Sequence, residues 1–202
     1  MLKPGLEKDE AQRRVGRRRF VEVSATALAS FVLWHYRKPD SMLAGAEPAG
    51  RPKMVRIVEF SDSGAREEVV VVPKIVKSDD EWRKQLSPAA FDVTREAGTE
   101  VAYMGAYWNL HEKGLFRCIC CHTALFSSET KFDSHTGWPS FWAPLAKENI
   151  EELEDNSLGM GRTAVSCRRC DAHLGHVFND GPRPTGLRYC MNSVAMQFVK
   201  PA

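Results

Sequence analysis

Two Cys-x-x-Cys pairs constrain this chain more than any other feature. Cys118 and Cys121 form the first pair, and Cys167 and Cys170 form the second. Each pair follows a strand-like stretch, so each predicts a turn that presents two sulfurs to one metal ion. Zinc prefers thiolates, and four of them complete a tetrahedral shell with no open position for a substrate. The spacing therefore predicts a structural zinc site, Zn2+ held by these four cysteines.

Six cysteines in 202 residues also allow two other interpretations of the pairs. An even number of cysteines fits the disulfide framework of a secreted protein, although such frameworks are usually smaller and denser in cysteine. Two redox-active Cys-x-x-Cys motifs are the other alternative. Cys120 adds a third sulfur to the first pair. Because adjacent Cys120 and Cys121 cannot both easily reach one metal ion, the spacing favours Cys118 with Cys121.

The composition describes a globular protein. Hydrophobic residues make up 43% of the chain and charged residues 27%, which is enough apolar material for a core. The net charge is +2 with histidine neutral, and basic residues are scattered except near the N-terminus. There is no basic stripe interleaved with aromatic residues, so nucleic acid is not expected as a partner.

Residues 1–50 have the three parts of an export signal followed by a linker. A basic stretch containing Arg17 and Arg18 precedes the apolar run Val23 to Trp34, and Ala44-Gly45-Ala46 is typical of a cleavage site. The run is shorter than the roughly 20 residues that span a membrane. The paired arginines resemble a twin-arginine signal, which predicts export to the periplasm. An uncleaved membrane anchor, an amphipathic tail and a mitochondrial-type presequence are alternatives, and the cytoplasm is the less favoured location.

Residues 51–76 are predicted to form an N-terminal extension with two strands. Met54 to Phe60 and Val69 to Val72 are rich in β-branched residues, and they flank the turn-prone segment Ser61-Asp62-Ser63-Gly64. Residues 77–202 are predicted to form the main domain.

The main domain is predicted to begin with two helices. Ser78 and Glu81 have the spacing of a capping box, which starts the first helix. Pro88 suits the first position of the second helix, and Gly98 is a natural stop. Trp82 lies one turn from an apolar residue on the same helix face, so it is expected in the core.

From Tyr103 onward, short aromatic or β-branched stretches alternate with glycine, proline and asparagine. This pattern predicts short strands, and only the segment Lys147 to Asp155 has a helix-like spacing. The fold class is therefore predicted as mainly β with two preceding helices.

Cys190 stands apart from both cysteine pairs. A lone cysteine is most often a small buried residue. Arg188, however, lies two residues before it, and the segment containing His173 and His176 could fold beside it. Basic neighbours favour the thiolate that a sulfur nucleophile needs, so Cys190 is predicted to be a reactive thiol with a depressed pKa.

Several ordered blocks between Lys77 and Phe198 carry a family resemblance. Besides the two cysteine pairs they are Tyr107-Trp108-Asn109, Gly137-Trp138-Pro139-Ser140-Phe141, His173-Leu174-Gly175-His176-Val177-Phe178, Asp180-Gly181-Pro182 and Pro184 to Ser193. Together they resemble the methionine-R-sulfoxide reductases of the B class, and residues 77–202 would then be the catalytic domain. The resemblance implies two small antiparallel sheets in a barrel-like arrangement, with N-terminal helices and a four-cysteine zinc site opposite the active site.

The resemblance also implies the reaction. Cys190 would attack the sulfoxide sulfur of protein-bound or free methionine-R-sulfoxide, release methionine and become a sulfenic acid. Thioredoxin or another thiol would then reduce it. The other implied site residues are His173, His176 and Asn192, which bind and protonate the oxide, and Trp138, Phe178 and Arg188, which bind the substrate or order the site.

One position departs from the family pattern. Many members have a resolving cysteine two residues before the active-site tryptophan, where this chain has Thr136. Because threonine cannot form a disulfide, we expect direct reduction by a thioredoxin-like protein or a small thiol, with Cys120 as the alternative resolving residue. A zinc-stapled β module that binds a ligand in an aromatic pocket without turnover is the rival function, and a thiol–disulfide oxidoreductase is a third.

Overall fold

The computed structural model describes residues 52–155 and 162–201. The predicted export signal, residues 1–50, lies outside this part of the chain. Among the described residues, none of the helices has the length and apolar character needed to cross a membrane.

The described chain begins with an antiparallel hairpin. Strand β1, Met54–Phe60, coincides with the first predicted strand, and β2, Arg66–Pro73, begins three residues before the second one. The buried side chain of Asn149 links β1 to the rest of the domain. Its Oδ1 accepts from the Val58 N–H at 2.7 Å, and its Nδ2 donates to the carbonyls of Val58 and Ala124 at 2.9 and 2.7 Å.

Two short helices follow, and both start where the sequence predicts. Helix α1 is Asp79–Gln85, with a complete capping box between Ser78 and Glu81, and helix α2 is Pro88–Glu96. Trp82 is buried in the core, as expected. The stop after α2 differs in detail, because Ala97 rather than Gly98 takes the left-handed conformation, at φ 56°.

The main domain is mainly β, as predicted, and contains two antiparallel sheets. Their strands are β3 Leu115–Cys118, β4 Ala124–Ser127, β5 Lys131–Phe132, β6 Ser140–Phe141, β7 Ile150–Asp155, β8 Arg162–Cys167, β9 His173–Phe178, β10 Arg188–Met191 and β11 Met196–Val199. The three-stranded sheet has the order β11-β3-β4, and the six-stranded sheet has the order β5-β6-β10-β9-β8-β7. The six-stranded sheet is open in the described chain, since its edge strands β5 and β7 do not pair with each other, and the barrel-like arrangement stays a prediction.

The segment Lys147 to Asp155 is not helical beyond one turn, so the helix-like spacing was misleading. A 3-10 turn, Lys147–Asn149, leads directly into β7. Strand β7 pairs with β8 along its whole length, from Ile150 opposite Cys167 to Asp155 opposite Arg162. Strand β8 supplies hydrogen-bond partners for the backbone of β7. This tertiary pairing overrides the helical tendency that the spacing of apolar residues indicates.

Aromatic side chains join the two sheets. Phe126 of β4 stacks on Phe141 of β6 with ring centroids 4.5 Å apart, and Phe116 of β3 lies edge-on to Phe141 at 5.0 Å. Tyr189 of β10 contacts Phe126 and is also buried. Since side chains alternate along a strand, the neighbours of Tyr189, namely Arg188 and Cys190, face away from this core.

Candidate active site and metal centre

The two Cys-x-x-Cys turns have the same backbone construction. The N–H of His122 donates to the carbonyl of Cys118 at 2.9 Å, and the N–H of Asp171 donates to the carbonyl of Cys167 at 2.9 Å. His122 and Asp171 both have left-handed backbones, at φ 61° and 56°. Each turn therefore reverses the chain directly after its second cysteine and directs two sulfurs to one point.

The four predicted ligands converge. The sulfurs of Cys118 and Cys170 are 3.6 Å apart, those of Cys121 and Cys167 are 3.5 Å apart, and all four lie within 4.8 Å of one another. A tetrahedral zinc–thiolate site with bonds of about 2.3 Å requires sulfurs roughly 3.8 Å apart, which this set approaches. The distances exceed the roughly 2.05 Å of a disulfide, and all six cysteines are free thiols. The donor set fits a metal ion and not the disulfide alternative.

Burial and charge also favour a metal at this cluster. Its four cysteines are at most 8% exposed. Contacts with neighbouring sulfurs, that of Cys120 first, and then burial raise the pKa of the Cys118 thiol. A bound cation is what makes the thiolate form favourable in such a site. Cys120 is itself only 4% exposed and interacts with Cys118 and Cys170.

Cys190 lies in the middle of the six-stranded sheet, between β6 and β9. In the strand register it is directly opposite Ser140 on one side and His176 on the other. Directly opposed residues of antiparallel strands share a face, with Cβ atoms about 5 Å apart. The topology thus brings a hydroxyl, a thiol and an imidazole together on the face that points away from the aromatic core.

The same face continues one step along the strands to Phe178 and Arg188. These two residues are opposite each other, and the Arg188 guanidinium lies 4.4 Å from the centre of the Phe178 ring. Asp180 accepts two hydrogen bonds from Arg188, both of 2.8 Å, and these bonds lower the pKa of the Asp180 carboxyl. Sequence reasoning assigned Asp180 no role, since nothing in its spacing indicates this pairing.

The resting Cys190 thiol is less acidic than the sequence predicts. Burial raises its pKa, and Arg188 together with the hydroxyls of Thr136 and Ser140 only partly opposes that effect. The prediction of a depressed pKa is therefore wrong for the free protein, because it counted the nearby cation but not the loss of water. The bidentate pairing of Arg188 with Asp180 further weakens the influence of that cation on the sulfur.

The two predicted histidines lie together on β9, and His176 reaches past β8 to the end of β7. Their ring centroids are 5.2 Å apart, and Nε2 of His176 is 2.9 Å from a carboxylate oxygen of Asp155, which also accepts from Arg162 at 2.8 Å. Burial, followed by the charge of His176, lowers the pKa of His173 to about 4, so its ring is neutral at neutral pH. Nε2 of His173 is buried and has no hydrogen-bond partner within the described chain.

Glu100 connects Trp138 with Asn192 and was missed by the sequence analysis. The Trp138 indole N–H donates to the Glu100 carbonyl at 3.0 Å, and the Glu100 N–H donates to Oδ1 of Asn192 at 2.9 Å. The Glu100 carboxylate accepts from the N–H groups of Ser193 and Val194, at 2.7 and 3.1 Å. Asn192 is 3% exposed, and its Nδ2 donates to a backbone carbonyl at 3.1 Å, so its side chain is held in one orientation.

An exposed apolar rim borders Trp138. We use this name for Val101, Tyr103 and Met104, which are 72%, 53% and 79% exposed. The rim is fixed to the segment before Trp138, because the Tyr103 N–H donates to the Gly137 carbonyl at 2.8 Å and the Tyr103 hydroxyl to a second carbonyl at 2.6 Å. Exposed apolar side chains grouped in this way are typical of an interaction surface.

A separate groove of about 920 Å³ lies between the hairpin and residues 143–148. Its lining contains neither cysteine nor histidine, and it includes basic residues of β1, β2 and the 3-10 turn. The groove lacks the groups that carry chemistry, and we assign the reactive site to the face of Cys190.

Fold and site together define a class of protein. Members of this class have a mainly antiparallel β domain and a buried four-cysteine cluster that can hold a metal ion. They also have a separate thiol, which in this chain is the half-buried Cys190 opposite His176. Residues 86–200 match the family model described as the SelR domain, and the chain belongs to this family, the B class of methionine sulfoxide reductases.

Relatives named peptide methionine sulfoxide reductase MsrB are similar to this chain over about three fifths of its length. The protein of Herminiimonas arsenicoxydans is 54% identical over 125 residues, which cover 62% of this chain and 91% of the relative. That of Synechococcus sp. (strain RCC307) is 55% identical over 121 residues, covering 60% and 89% of the two chains. That of Thioalkalivibrio sulfidiphilus is 55% identical over 121 residues, covering 60% and 88%.

Proposed function

We propose that this protein reduces methionine-R-sulfoxide to methionine, with Cys190 as the nucleophile. The observation that carries the proposal is the strand register, which sets Cys190 opposite Ser140 and His176 in a member of the SelR family. Trp138 lies two residues from Ser140, so an indole is available for the substrate methyl group. A sulfoxide sulfur becomes sulfonium-like as its oxide is protonated, and an aromatic face attracts such a charge.

The chemistry balances as an oxygen transfer. The Cys190 sulfur attacks the substrate sulfur, the sulfur–oxygen bond of the substrate breaks, and the oxygen ends on Cys190 as a sulfenic acid. The substrate sulfur gains two electrons and the cysteine sulfur loses two. The departing oxygen needs a proton donor. His176, oriented by its 2.9 Å contact with Asp155, is the proposed donor.

His173 has a different proposed part. Its depressed pKa of about 4 means that it does not carry the extra proton at neutral pH. A neutral imidazole still offers one donor and one acceptor nitrogen. The buried Nε2 atom, which lacks a partner in the described chain, is the proposed contact for the oxide. Asn192 is proposed to bind the oxide with the amide hydrogen that its bond to Leu174 does not use.

The decisive experiment compares the two epimers. Purified protein is incubated with the R or the S epimer of methionine sulfoxide in a short peptide, with dithiothreitol as reductant, and the methionine product is quantified. We expect turnover of the R epimer alone, since each epimer has its own enzyme. Equal turnover of the two epimers would contradict the stereochemical proposal, and turnover of neither would contradict the function.

The proposed reductant is an external thiol. Thr136 occupies the position of the resolving cysteine, and its hydroxyl oxygen is 3.9 Å from the Cys190 sulfur. A threonine has no thiol and cannot form a disulfide with Cys190. Cys120 is buried next to the four-cysteine cluster, where it interacts with Cys118 and Cys170. We therefore propose that thioredoxin or a small thiol reduces the sulfenic acid, and the same assay run with thioredoxin and with dithiothreitol compares them.

The proposed metal is one zinc ion bound by Cys118, Cys121, Cys167 and Cys170. The converging, buried sulfurs support a closed tetrahedral shell, which stabilises the fold and takes no part in the reaction. A pair of redox-active Cys-x-x-Cys motifs would need an accessible thiol, and buried structural cysteines are inert.

Peptide-bound methionine sulfoxide is the proposed substrate, supported by the apolar rim. In the double variant Val101→Ser/Met104→Ser, we expect KM for a sulfoxide-containing peptide to rise several-fold, because the residues that flank the sulfoxide lose apolar contacts worth roughly 1 kcal/mol in total. For free methionine sulfoxide, which has no flanking residues, the kinetic constants should stay close to those of the wild type. A matched control is Val69→Ser/Val71→Ser on the exposed strand β2. An equal rise for both substrates would contradict this proposal.

The rival function, ligand binding without turnover, gains no support from this arrangement. An aromatic binding pocket requires Trp138 but neither a thiol nor an adjacent imidazole. The register of Cys190 with His176 is the observation that favours an enzyme over a binding module.

We also propose export by the twin-arginine route, based on Arg17, Arg18 and the apolar run that follows. These residues lie outside the described chain, so the sequence alone supports this proposal. Determining the mature N-terminus after fractionation of the native host distinguishes a cleaved periplasmic form, an uncleaved anchor and a cytoplasmic protein.

A further inference from the structure

Three hydroxyl groups form a chain that ends at the reactive thiol. The Ser140 and Ser134 hydroxyl oxygens are 2.7 Å apart, and those of Ser134 and Thr136 are 2.8 Å apart. The Thr136 hydroxyl oxygen is then 3.9 Å from the Cys190 sulfur, within hydrogen-bond range for sulfur. At its other end the Ser140 hydroxyl donates to the Trp138 carbonyl at 3.3 Å.

Each hydroxyl has one hydrogen to donate, and this fixes the direction of the chain. If Ser140 donates to the Trp138 carbonyl, it must accept from Ser134, which in turn accepts from Thr136. Thr136 then has no hydrogen left for Cys190, and it can only accept from the S–H group. The arrangement with all hydrogens pointing towards Trp138 therefore matches the protonated thiol.

Ionisation of Cys190 requires the opposite direction. A thiolate accepts hydrogen bonds and donates none, so Thr136 must turn its hydrogen towards the sulfur. Ser134 can then donate to Thr136, and Ser140 to Ser134, with only the longer 3.3 Å bond to the Trp138 carbonyl given up. No heavy atom has to move, and every short contact of the chain is kept in both directions.

Among the described residues, Arg188 has the strongest influence that favours a negative charge on this sulfur, and the hydroxyls of Thr136 and Ser140 come next. Arg188 on the same strand is paired with Asp180, and His176 on the neighbouring strand contacts Asp155. In the segment 133–136, Asp133 and His135 lie 3.3 Å from each other and are exposed. Strand β6 contributes Ser140 and the apolar Phe141. Because Arg188 is shared with Asp180, hydrogen-bond donation by the hydroxyls adds to the attraction that the guanidinium still exerts on the sulfur.

We propose that Ser134, Thr136 and Ser140 form a reversible hydrogen-bond chain that stabilises Cys190 in its ionised form and so prepares it for attack on the sulfoxide. The inference deepens the proposed function and rests on it. Thr136 and Ser140 both interact with the sulfur, while Ser134, which links their hydroxyls, is a positioning residue. Chains of hydrogen bonds polarise one another, so Ser134 strengthens the bond that Thr136 donates to the sulfur.

The test measures the acidity of Cys190 without any substrate. Zinc-loaded protein is treated with iodoacetamide across a range of pH, and the alkylation rate of the peptide containing Cys190 is followed by mass spectrometry. In Thr136→Val the midpoint should rise by roughly one to two pH units, the shift expected when a charged group loses one hydrogen bond. In Thr136→Ser, which keeps the hydroxyl, it should stay within a few tenths of the wild-type value. An unchanged midpoint in Thr136→Val would overturn the proposal.

A double-mutant cycle tests whether the serines belong to the chain. Thr136→Val is measured in the wild type and in Ser134→Ala, and coupled residues should give different midpoint shifts in the two backgrounds, by at least about 0.4 pH unit. Equal shifts would remove Ser134 from the proposal. Since alkylation needs no sulfoxide, a shift in a protein that fails the epimer assay would refute the proposed function while leaving the hydrogen-bond chain intact. Zinc content and circular dichroism identify any variant that is misfolded.

Discussion

Replacing Cys190 by serine should lower the rate of methionine-R-sulfoxide reduction by at least about a thousandfold. A serine hydroxyl does not ionise near neutral pH, and its oxygen cannot accept a second oxygen as the cysteine sulfur does when it forms a sulfenic acid. The rate is measured from the methionine released from the R epimer in the presence of excess dithiothreitol. Excess reductant ensures that the measured loss comes from the oxygen-transfer step and not from regeneration.

The same variant should keep its metal and its fold. Cys190 is not one of the four clustered cysteines, and serine is close to it in size, so the zinc content should remain near one ion per chain. Cys120→Ser is the matched control, because it also removes a cysteine outside the cluster but leaves the proposed nucleophile. It should retain reductase activity. Wild-type activity in Cys190→Ser would refute the enzyme assignment together with the role given to that thiol.

Features that depend on neighbours in sequence were predictable. The N-terminal caps of α1 and α2 and the two Cys-x-x-Cys turns each involve residues within about four positions, and the structure has them where the sequence indicates. The turn after Cys121 closes through a hydrogen bond from His122 to Cys118, and that after Cys170 through one from Asp171 to Cys167. Such contacts need no knowledge of the tertiary fold.

Features that depend on strand register were not predictable from one sequence. Asp155 reaches His176 only because β7, β8 and β9 are neighbours in the sheet. Glu100 reaches Trp138 across 38 positions of the chain. Nor does any local pattern indicate that Thr136 touches Cys190, since the segment before β6 must first lie along β10.

The acidity of Cys190 shows why residue identity alone is insufficient for electrostatics. The sequence shows the cation two positions away, but the pKa depends more on how much water the fold removes from the sulfur. It also depends on the carboxylate of Asp180, which occupies the guanidinium of Arg188. Both effects arise only after β9 and β10 pair, so the sign of the pKa shift could not be read before the fold was known.

Replacing Cys118 by serine should remove the zinc and destabilise the whole main domain. Structural zinc contributes roughly 10–16 kcal/mol of apparent binding energy in small zinc-dependent folds, which is comparable to or above the total stability of a typical domain. The variant should therefore contain little zinc and unfold at a much lower temperature than the wild type, if it accumulates as folded protein at all. Metal analysis and thermal denaturation followed by circular dichroism measure the two effects, with Cys120→Ser as the control that keeps both.

Loss of the metal should also abolish activity, although none of its ligands lies on the face of Cys190. Cys167 ends β8, and β8 pairs with β9, the strand that carries both histidines. The backbone carbonyl of Cys170 accepts a hydrogen bond from the Arg95 guanidinium of α2 at 2.8 Å, so the turn that carries Cys170 also connects that helix to the sheet. Chelation of zinc from the wild-type protein should accordingly reduce thermal stability and reductase activity together. A Cys118→Ser protein that still binds one zinc ion per chain would disprove the ligand set, because a different sulfur would then have to complete the shell.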